Sequence, residues 1–468
     1  MQGSASPDTQ ALQDKDNLVI HPWEDIAHIG EQARTIVARA EGIYVTDTDG
    51  NRLIDGPGGM WCVNIGHGRR EMAEAMAHQA QELCYFSPWS LGTPPAALLA
   101  ERLAERSPGD LNHVLFTTGG STAVDSALRF AFFYNNILGR PEKKLIISRI
   151  GAYHGSTYLS ASCAGKMAEK TNMDMAPGLV HHLPAPKPLS RPSGMSLEDF
   201  CEAKVADLEA KIVEVGPDRV AAFIAEPILA SGGVIIPPPG YHRKCLEVCR
   251  KYDVLYISDE VVTAFGRLGH IFASQAVFDI TPDIITIAKG LTSGYIPLGA
   301  MLVSERLIEE VKATGADNAY FFNGFTYSGH PVAAAAGLKN LEILEDEGIC
   351  EHVREIAPYF ADRLASLADL PVVAEVRSIG LMAGVECTLK GLVSGSSGVP
   401  SADYDEEADY DFADKIDRHC QRLGLIVRPV YNICVMSPPL IITREQIDDM
   451  VAILRQGIEA AMKETGIG

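Results

Sequence analysis

The sequence predicts an α/β protein, with a mainly parallel sheet in a large domain and a smaller α+β domain beside it. Three observations predict it. Apolar runs of strand length alternate with amphipathic stretches of helical period through the middle of the chain. Most of those runs lack polar alternation, as strands covered on both faces must, and such strands belong to parallel sheets. A chain of 468 residues, 47% of them hydrophobic, can also bury more core than one typical domain holds.

Residues 1–16 are polar, and no positively charged start leads into an apolar stretch, so they do not read as a secretory signal. Residues 25–55 hold a helix candidate and then an alternating segment, Gly42 to Asp55, that turns at Asp49-Gly50 as a hairpin does. Strands are expected at 113–117, 145–148, 221–225, 254–258, 283–287 and 299–303, with amphipathic helices between most of them. Helices are expected at 122–138, 241–252, 331–347 and 444–463. Segment 391–410 is rich in Gly, Ser, Asp and Glu and reads as a solvated surface loop. On this pattern residues 1–70 lend an N-terminal segment to the small domain, 71–330 form the large domain, and 331–468 complete the small one.

Forty basic residues face 61 acidic ones, a formal charge of −21, which opposes binding to nucleic acid or to an anionic membrane. No run is long and uncharged enough to span a bilayer, and the expected location is the cytoplasm. The ten cysteines follow neither a disulfide framework nor a zinc spacing, so they read as reduced thiols, with Cys245 and Cys249 one turn apart in the 241–252 helix. No metal site is expected. His181-His182 lacks ligand spacing and reads as a surface pair.

Lys289 is the most informative residue. It follows the apolar run Ile284 to Ile287, and Asp259 follows the run 254–258. A lysine ending a buried strand is poorly placed for solvent and well placed to condense with an aldehyde cofactor. The separation of 30 residues between positions 259 and 289 leaves room for one crossover to a neighbouring parallel strand, so carboxylate and amine arrive together. Pyridoxal 5'-phosphate requires this pair: Asp259 keeps the ring nitrogen protonated, and the cationic ring absorbs electrons when a substrate proton leaves. Thr117-Thr118-Gly119-Gly120-Ser121 ends a strand and opens a helix, where free backbone N–H groups and the helix dipole favour an anion. Tyr153 suits one face of an aromatic ring and Val261 the other.

In order along the chain, Gly119-Gly120-Ser121, Tyr153-His154-Gly155, Glu226-Pro227, Asp259-Glu260-Val261, Phe265-Gly266-Arg267, Lys289-Gly290 and the segment from Phe325 to Pro331 resemble the class III pyridoxal phosphate aminotransferases. Gly59-Met60-Trp61-Cys62-Val63-Asn64 and Gly424-Leu425-Ile426-Val427-Arg428-Pro429 are similar to the ω-transaminases within that class, the amine:pyruvate and β-alanine or taurine:pyruvate types. The resemblance implies the fold type I architecture of pyridoxal phosphate transferases, in a homodimer or dimer of dimers with the site at the subunit boundary. It implies that Lys289 holds the cofactor and shuttles the proton, Asp259 meets the ring nitrogen, Tyr153 stacks on the ring, and Gly120 and Ser121 hold the phosphate. His154 and Glu226 would lie near the cofactor, and Thr326 would reach the phosphate of the neighbouring subunit. Trp61, Phe86, Tyr153 and Ser231 would line the substrate pocket, and Arg428 would grip the carboxylate of pyruvate or alanine.

The implied activity is a ping-pong transamination of an amine or ω-amino acid with pyruvate. An aminomutase or decarboxylase on the same scaffold would use the same Lys289 and Asp259, and a noncatalytic cofactor-binding protein would keep the fold. Arg428 and the Trp61 segment favour transamination. Thr122 and Val124 stand where many relatives have an acidic and an amide residue, Ala230-Ser231 replaces a commoner Gly-Ala pair, and Ala264 replaces a frequent glycine.

Overall fold

The computed structural model describes residues 9–31, 33–389 and 406–467. At its centre is a seven-stranded sheet in the spatial order His113–Thr117, Gly299–Val303, Ile284–Ile287, Leu255–Asp259, Val220–Ala225, Leu145–Arg149, Val180–Leu183. The last five strands run parallel. Gly299–Val303 is antiparallel to both of its neighbours. All six expected strands are present, in the α/β arrangement that the apolar runs predict.

Both faces of this sheet are covered, and side-chain alternation explains how. Ala222 and Ile224 join Ile257 and Ile146 in a cluster with Val124, Ala127, Leu128 and Ala131 from the Gly120–Ile137 helix. Phe223 and Ala225 point the other way, against Leu208 and Ile212 of the Leu197–Val215 helix and Cys245 and Cys249 of the Tyr241–Lys251 helix. The ten cysteines are free thiols.

The strand Val180–Leu183 was not expected, and it corrects the reading of His181-His182 as a surface pair. Both histidines are half-buried in this edge strand, which pairs on one side only, with Leu145–Arg149. His182 Nε2 lies 3.1 and 2.9 Å from the carbonyl oxygens of Cys163 and Ala164. Burial lowers its pKa to about 4, so the ring is a neutral structural donor.

Two four-stranded sheets flank the large one. In the first, Val37–Glu41, Tyr44–Asp47 and Arg52–Asp55 pair antiparallel, and Leu425–Ile426 joins the last strand in parallel. The hairpin turns at Asp49-Gly50 as expected: the Asp47 carboxylate accepts the N–H groups of Asp49 and Asn51 at 3.0 and 2.8 Å, and Gly50 takes a φ of +87°, open to glycine at little cost. The second sheet orders Val373–Ile379, Met382–Cys387, Ile433–Met436 and Arg428–Val430.

One expectation fails, and a second is overturned over 406–410 alone. The helix candidate within 25–55 is a three-residue 3-10 turn, Ile26–His28, capped by Asp25, and the chain turns away at Gly30 with φ +85° before the Val37–Glu41 strand. Of the loop expected at 391–410, residues 391–405 lie outside the described residues, and the remainder belongs to the Glu406–Leu423 helix. No helix among the described residues is long and apolar enough to cross a membrane.

Arg267 bolts the sheets together. It is fully buried, and its guanidinium donates to the carbonyls of Leu381 (3.1 Å) and Pro438 (2.6 Å) and to Asn64 Oδ1 (2.9 Å). Arg267→Ala strands three buried acceptors and opens a cavity, so we expect a loss of about 3–5 kcal/mol, seen as a lower thermal midpoint than that of the parent protein.

Candidate active site

The site is built where two parallel strands end side by side. Asp259 is in register with Thr286, so the chain leaving Ile284–Ile287 delivers Lys289 beside the Asp259 carboxylate two residues into the next turn. Thr286 Oγ1 and the Val261 N–H donate to Asp259 Oδ1 at 3.1 and 3.2 Å. Oδ2 lies 2.7 Å from Nδ1 of buried His154. Three donors therefore fix a carboxylate that is almost wholly buried.

Lys289 has a φ of +42°, in the left-handed region that a lysine rarely adopts. Its amine makes no hydrogen bond or ion pair with the other described residues. Burial pushes that amine below its ordinary value, the charge of Asp259 opposes the shift, and Arg428 adds to it. A lysine lowered in this way is unprotonated more often at neutral pH, as a nucleophile and proton carrier must be.

Lys289 and Asp259 open into a cavity of about 490 Å³. Of the positions singled out in the sequence, Trp61, Gly120, Ser121, Tyr153, His154, Glu226, Ser231, Val261 and Arg428 also line it. Phe86 and Thr326 do not. Phe86 is half exposed, and the Thr326 carbonyl accepts the Tyr85 hydroxyl at 2.8 Å.

One end of the cavity is made for an anion. The first intrahelical bond of Gly120–Ile137 is Ala123 N–H to Gly119 O at 3.0 Å, and no side chain caps the helix. The N–H groups of Gly120, Ser121 and Thr122 are left facing outward, at the positive end of the helix dipole. A Cβ at Gly120 would stand 2.9 Å from Val261 Cγ1, so only glycine lets this backbone approach Val261. Ser121 Oγ accepts the Ser156 N–H at 3.0 Å, which leaves its own proton free to donate.

Glu226 ties two walls together. Its carboxylate accepts the N–H of Tyr153 at 2.9 Å and of Ala230 at 3.1 Å. Burial pushes its pKa up, partly opposed by His154. The unusual Val124 faces the sheet core instead of the cavity, while Thr122 Oγ1 donates to Gly119 O at 2.9 Å. Neither takes the place of an acid or amide at the site.

At the other end the Arg428 guanidinium lies 5.8 Å from the Trp61 ring centroid and touches Met60 Sδ. Burial lowers its pKa, and among the described residues no carboxylate pairs with it. A cation so placed is ready to receive a ligand's carboxylate in a bidentate bond.

Sequence reasoning missed Trp23, Lys166, Glu169 and Tyr431, all of which line the cavity. Trp23, Lys166 and Tyr431 lie in irregular segments and Glu169 in a three-residue 3-10 turn, so no periodic pattern marks them. Tyr431 stands three residues after Arg428, and that closeness was the one available signal.

The family model described as aminotransferase class III matches residues 26–458. A putrescine–pyruvate aminotransferase of Pseudomonas aeruginosa is 41% identical over 446 residues, 94% of this chain and 93% of that one. The crystal structure of a thermostable (S)-enantioselective ω-transaminase from Thermomicrobium roseum matches with a TM-score of 0.90 and 37% identity, over 98% of this chain and 99% of that one. An ω-transaminase of Pseudomonas jessenii, solved in complex with PMP, matches with a TM-score of 0.91 and 34% identity over 98% and 99% of the two chains.

Proposed function

Because this chain belongs to the class III aminotransferases, we propose that it carries an amino group from a primary amine to pyruvate, releasing alanine and an aldehyde or ketone, with pyridoxal 5'-phosphate as cofactor. One observation carries the reading. A single cavity holds Lys289 and Asp259 together with Arg428, a buried cation that has no carboxylate partner among the described residues and stands against an indole wall. An aminotransferase that must admit both an apolar amine and a small keto acid needs both surfaces. The names of the similar proteins, a putrescine–pyruvate aminotransferase and two ω-transaminases, support the same pairing.

The residues fit the cofactor. The outward N–H groups of Gly120, Ser121 and Thr122 and the Ser121 hydroxyl would hold its phosphate. Asp259 would meet the ring nitrogen, and Tyr153 and Val261 would enclose the ring. When bound, the cofactor supplies an electrophilic carbon and a cationic ring that takes up electrons from the carbon losing its proton.

The protein does the remaining work. Lys289 Nζ would take the proton from the amine carbon and pass it to the cofactor within the same half-reaction, and would carry a proton the opposite way in the second. His154, Thr286 and the Val261 N–H keep the Asp259 charge fixed. Glu226 holds the Tyr153 and Ala230 backbones in place, and Ser231 narrows the wall beside the substrate. Arg428 binds the keto-acid carboxylate, while Trp61 and Tyr153 exclude water around an apolar donor.

We assign Phe86 and Thr326 to the site of a neighbouring copy in a homodimer or dimer of dimers. Phe86 and Trp89 are exposed, as are Tyr320, Phe322 and Tyr327 around Thr326, and such apolar surface is best accounted for by a second copy. The free thiols and the net negative charge fit an enzyme of the cytoplasm.

A screen of amines with pyruvate as acceptor, read as alanine formed, tests the function. No alanine with any amine would overturn it, and the same assay separates transamination from aminomutase or decarboxylase chemistry. Arg428→Ala should raise the KM for pyruvate and for alanine about 10- to 100-fold, the worth of a charge-assisted bidentate pair. The KM for an amine without a carboxylate should change far less, and equal losses on both would remove Arg428 from carboxylate binding.

A further inference from the structure

We propose that Glu169, on the cavity wall, selects donors carrying a second ammonium group, that is, α,ω-diamines. The inference rests on the transamination reading above and names the donor class of the same site. Glu169 lies in the Ala168–Lys170 turn and lines the cavity with Trp23, Tyr153 and Tyr431. Its Oε1 accepts from Lys166 Nζ at 2.9 Å. Its Oε2 accepts no hydrogen bond from the other described residues, so half of the carboxylate remains available.

Of the two partners, Glu169 is the one open to a ligand. The Lys166 side chain is 10% exposed and that of Glu169 33%. Lys166 Nζ is also packed 5.1 Å from the Tyr431 ring centroid. Its charge is thus engaged twice within the protein.

The surroundings suit a cation. Trp23 and Tyr153 stand 5.7 Å apart between ring centroids, tilted by 53°, and neither ring carries a cation among the described residues. Aromatic faces beside a carboxylate attract an ammonium ion by ring quadrupole and by charge together. Burial is the main cause raising the Tyr153 phenol, and the charge of Glu169 acts in the same direction. The carboxylate therefore acts on the ring that borders the Lys289 end of the cavity.

The other charges leave this as the place for a distal ammonium. Lys289 repels it at the Asp259 end of the cavity, and the charge of Glu169, which also reaches Arg428, offsets the repulsion from that guanidinium. Asp259 and Glu226 are buried and engaged by their own donors. Glu169 is the partly exposed acid lining the cavity.

The test measures kcat/KM for 1,4-diaminobutane, butylamine and 4-aminobutanoate with pyruvate as acceptor, in the wild type, Glu169→Gln and Lys166→Met. We expect Glu169→Gln to lower the diamine-to-butylamine ratio about tenfold or more, chiefly through the diamine KM, and to favour 4-aminobutanoate relative to the diamine. Lys166→Met should hold or raise the diamine ratio, because it frees the second carboxylate oxygen. A Glu169→Gln ratio within twofold of the wild type, an equal loss on both amines, or a Lys166→Met enzyme that mimics Glu169→Gln would overturn the inference. Alanine formed by the wild type, with a ratio unshifted in Glu169→Gln, sinks this inference alone, whereas no alanine from these donors or from any amine of the wider screen sinks the transamination reading with it.

Discussion

Lys289→Ala should lower alanine formation from pyruvate by about 10⁴-fold or more, the combined loss of a covalent amine and a proton carrier. The fold should survive the change. The amine makes no hydrogen bond or ion pair with the other described residues, so truncation strands no partner, and Asp259 keeps all three of its donors. The left-handed backbone at this position, φ +42°, is held by buried neighbours, Gly290 and Leu291, and alanine inherits it. We therefore expect a thermal midpoint within a few degrees of the parent while turnover is lost. Borohydride reduction followed by peptide mapping gives an independent readout: the wild type should carry the cofactor label on Lys289, and the variant should carry none. Turnover at a wild-type rate, or a label on another side chain, would remove Lys289 from the chemistry.

The parts of this molecule that were legible in the sequence are those whose burial leaves a pattern. Strands such as Val220–Ala225 and Ile284–Ile287 are buried at every position and read as unbroken apolar runs. Lys289 and Asp259 were legible because polar residues closing such runs stand out against them. Val180–Leu183 was hidden because an edge strand paired on one side tolerates His181 and His182 at its centre. The helix expected within 25–55 shrinks in the fold to the Ile26–His28 turn, which Asp25 caps and Gly30 follows with a φ of +85°.

The cavity wall was harder to read for a different reason. Trp23, Lys166 and Tyr431 come from segments without regular structure and Glu169 from a single 3-10 turn; tertiary packing alone brings them to the cavity. Arg428 was reached only through family resemblance, since an arginine beside Val427 and Pro429 has no distinctive spacing. Its place against Trp61 joins two chain segments far apart in sequence. Phe86, which the same resemblance places in the substrate pocket, and Thr326, which it gives to the phosphate of the neighbouring subunit, both lie off the cavity of the single chain.

Asp259→Asn should slow each half-reaction about 10³-fold while leaving the site intact. The geometry separates charge from shape here. The asparagine carbonyl can keep the bonds from Thr286 Oγ1 and the Val261 N–H on the Oδ1 side. Its amide then faces His154 Nδ1, which accepts once the ring proton moves to Nε2, the buried nitrogen that has no partner in the present arrangement. What disappears is the negative charge. A unit charge at about 4 Å and an effective dielectric near 20 is worth about 4 kcal/mol, or about 10³ in rate. Single-turnover absorbance with an amine, and then with pyruvate, checks both halves. Retained cofactor binding with both halves slowed assigns Asp259 to charge stabilisation, and a rate within tenfold of the wild type would show that its hydrogen bonds, not its charge, are what the site requires.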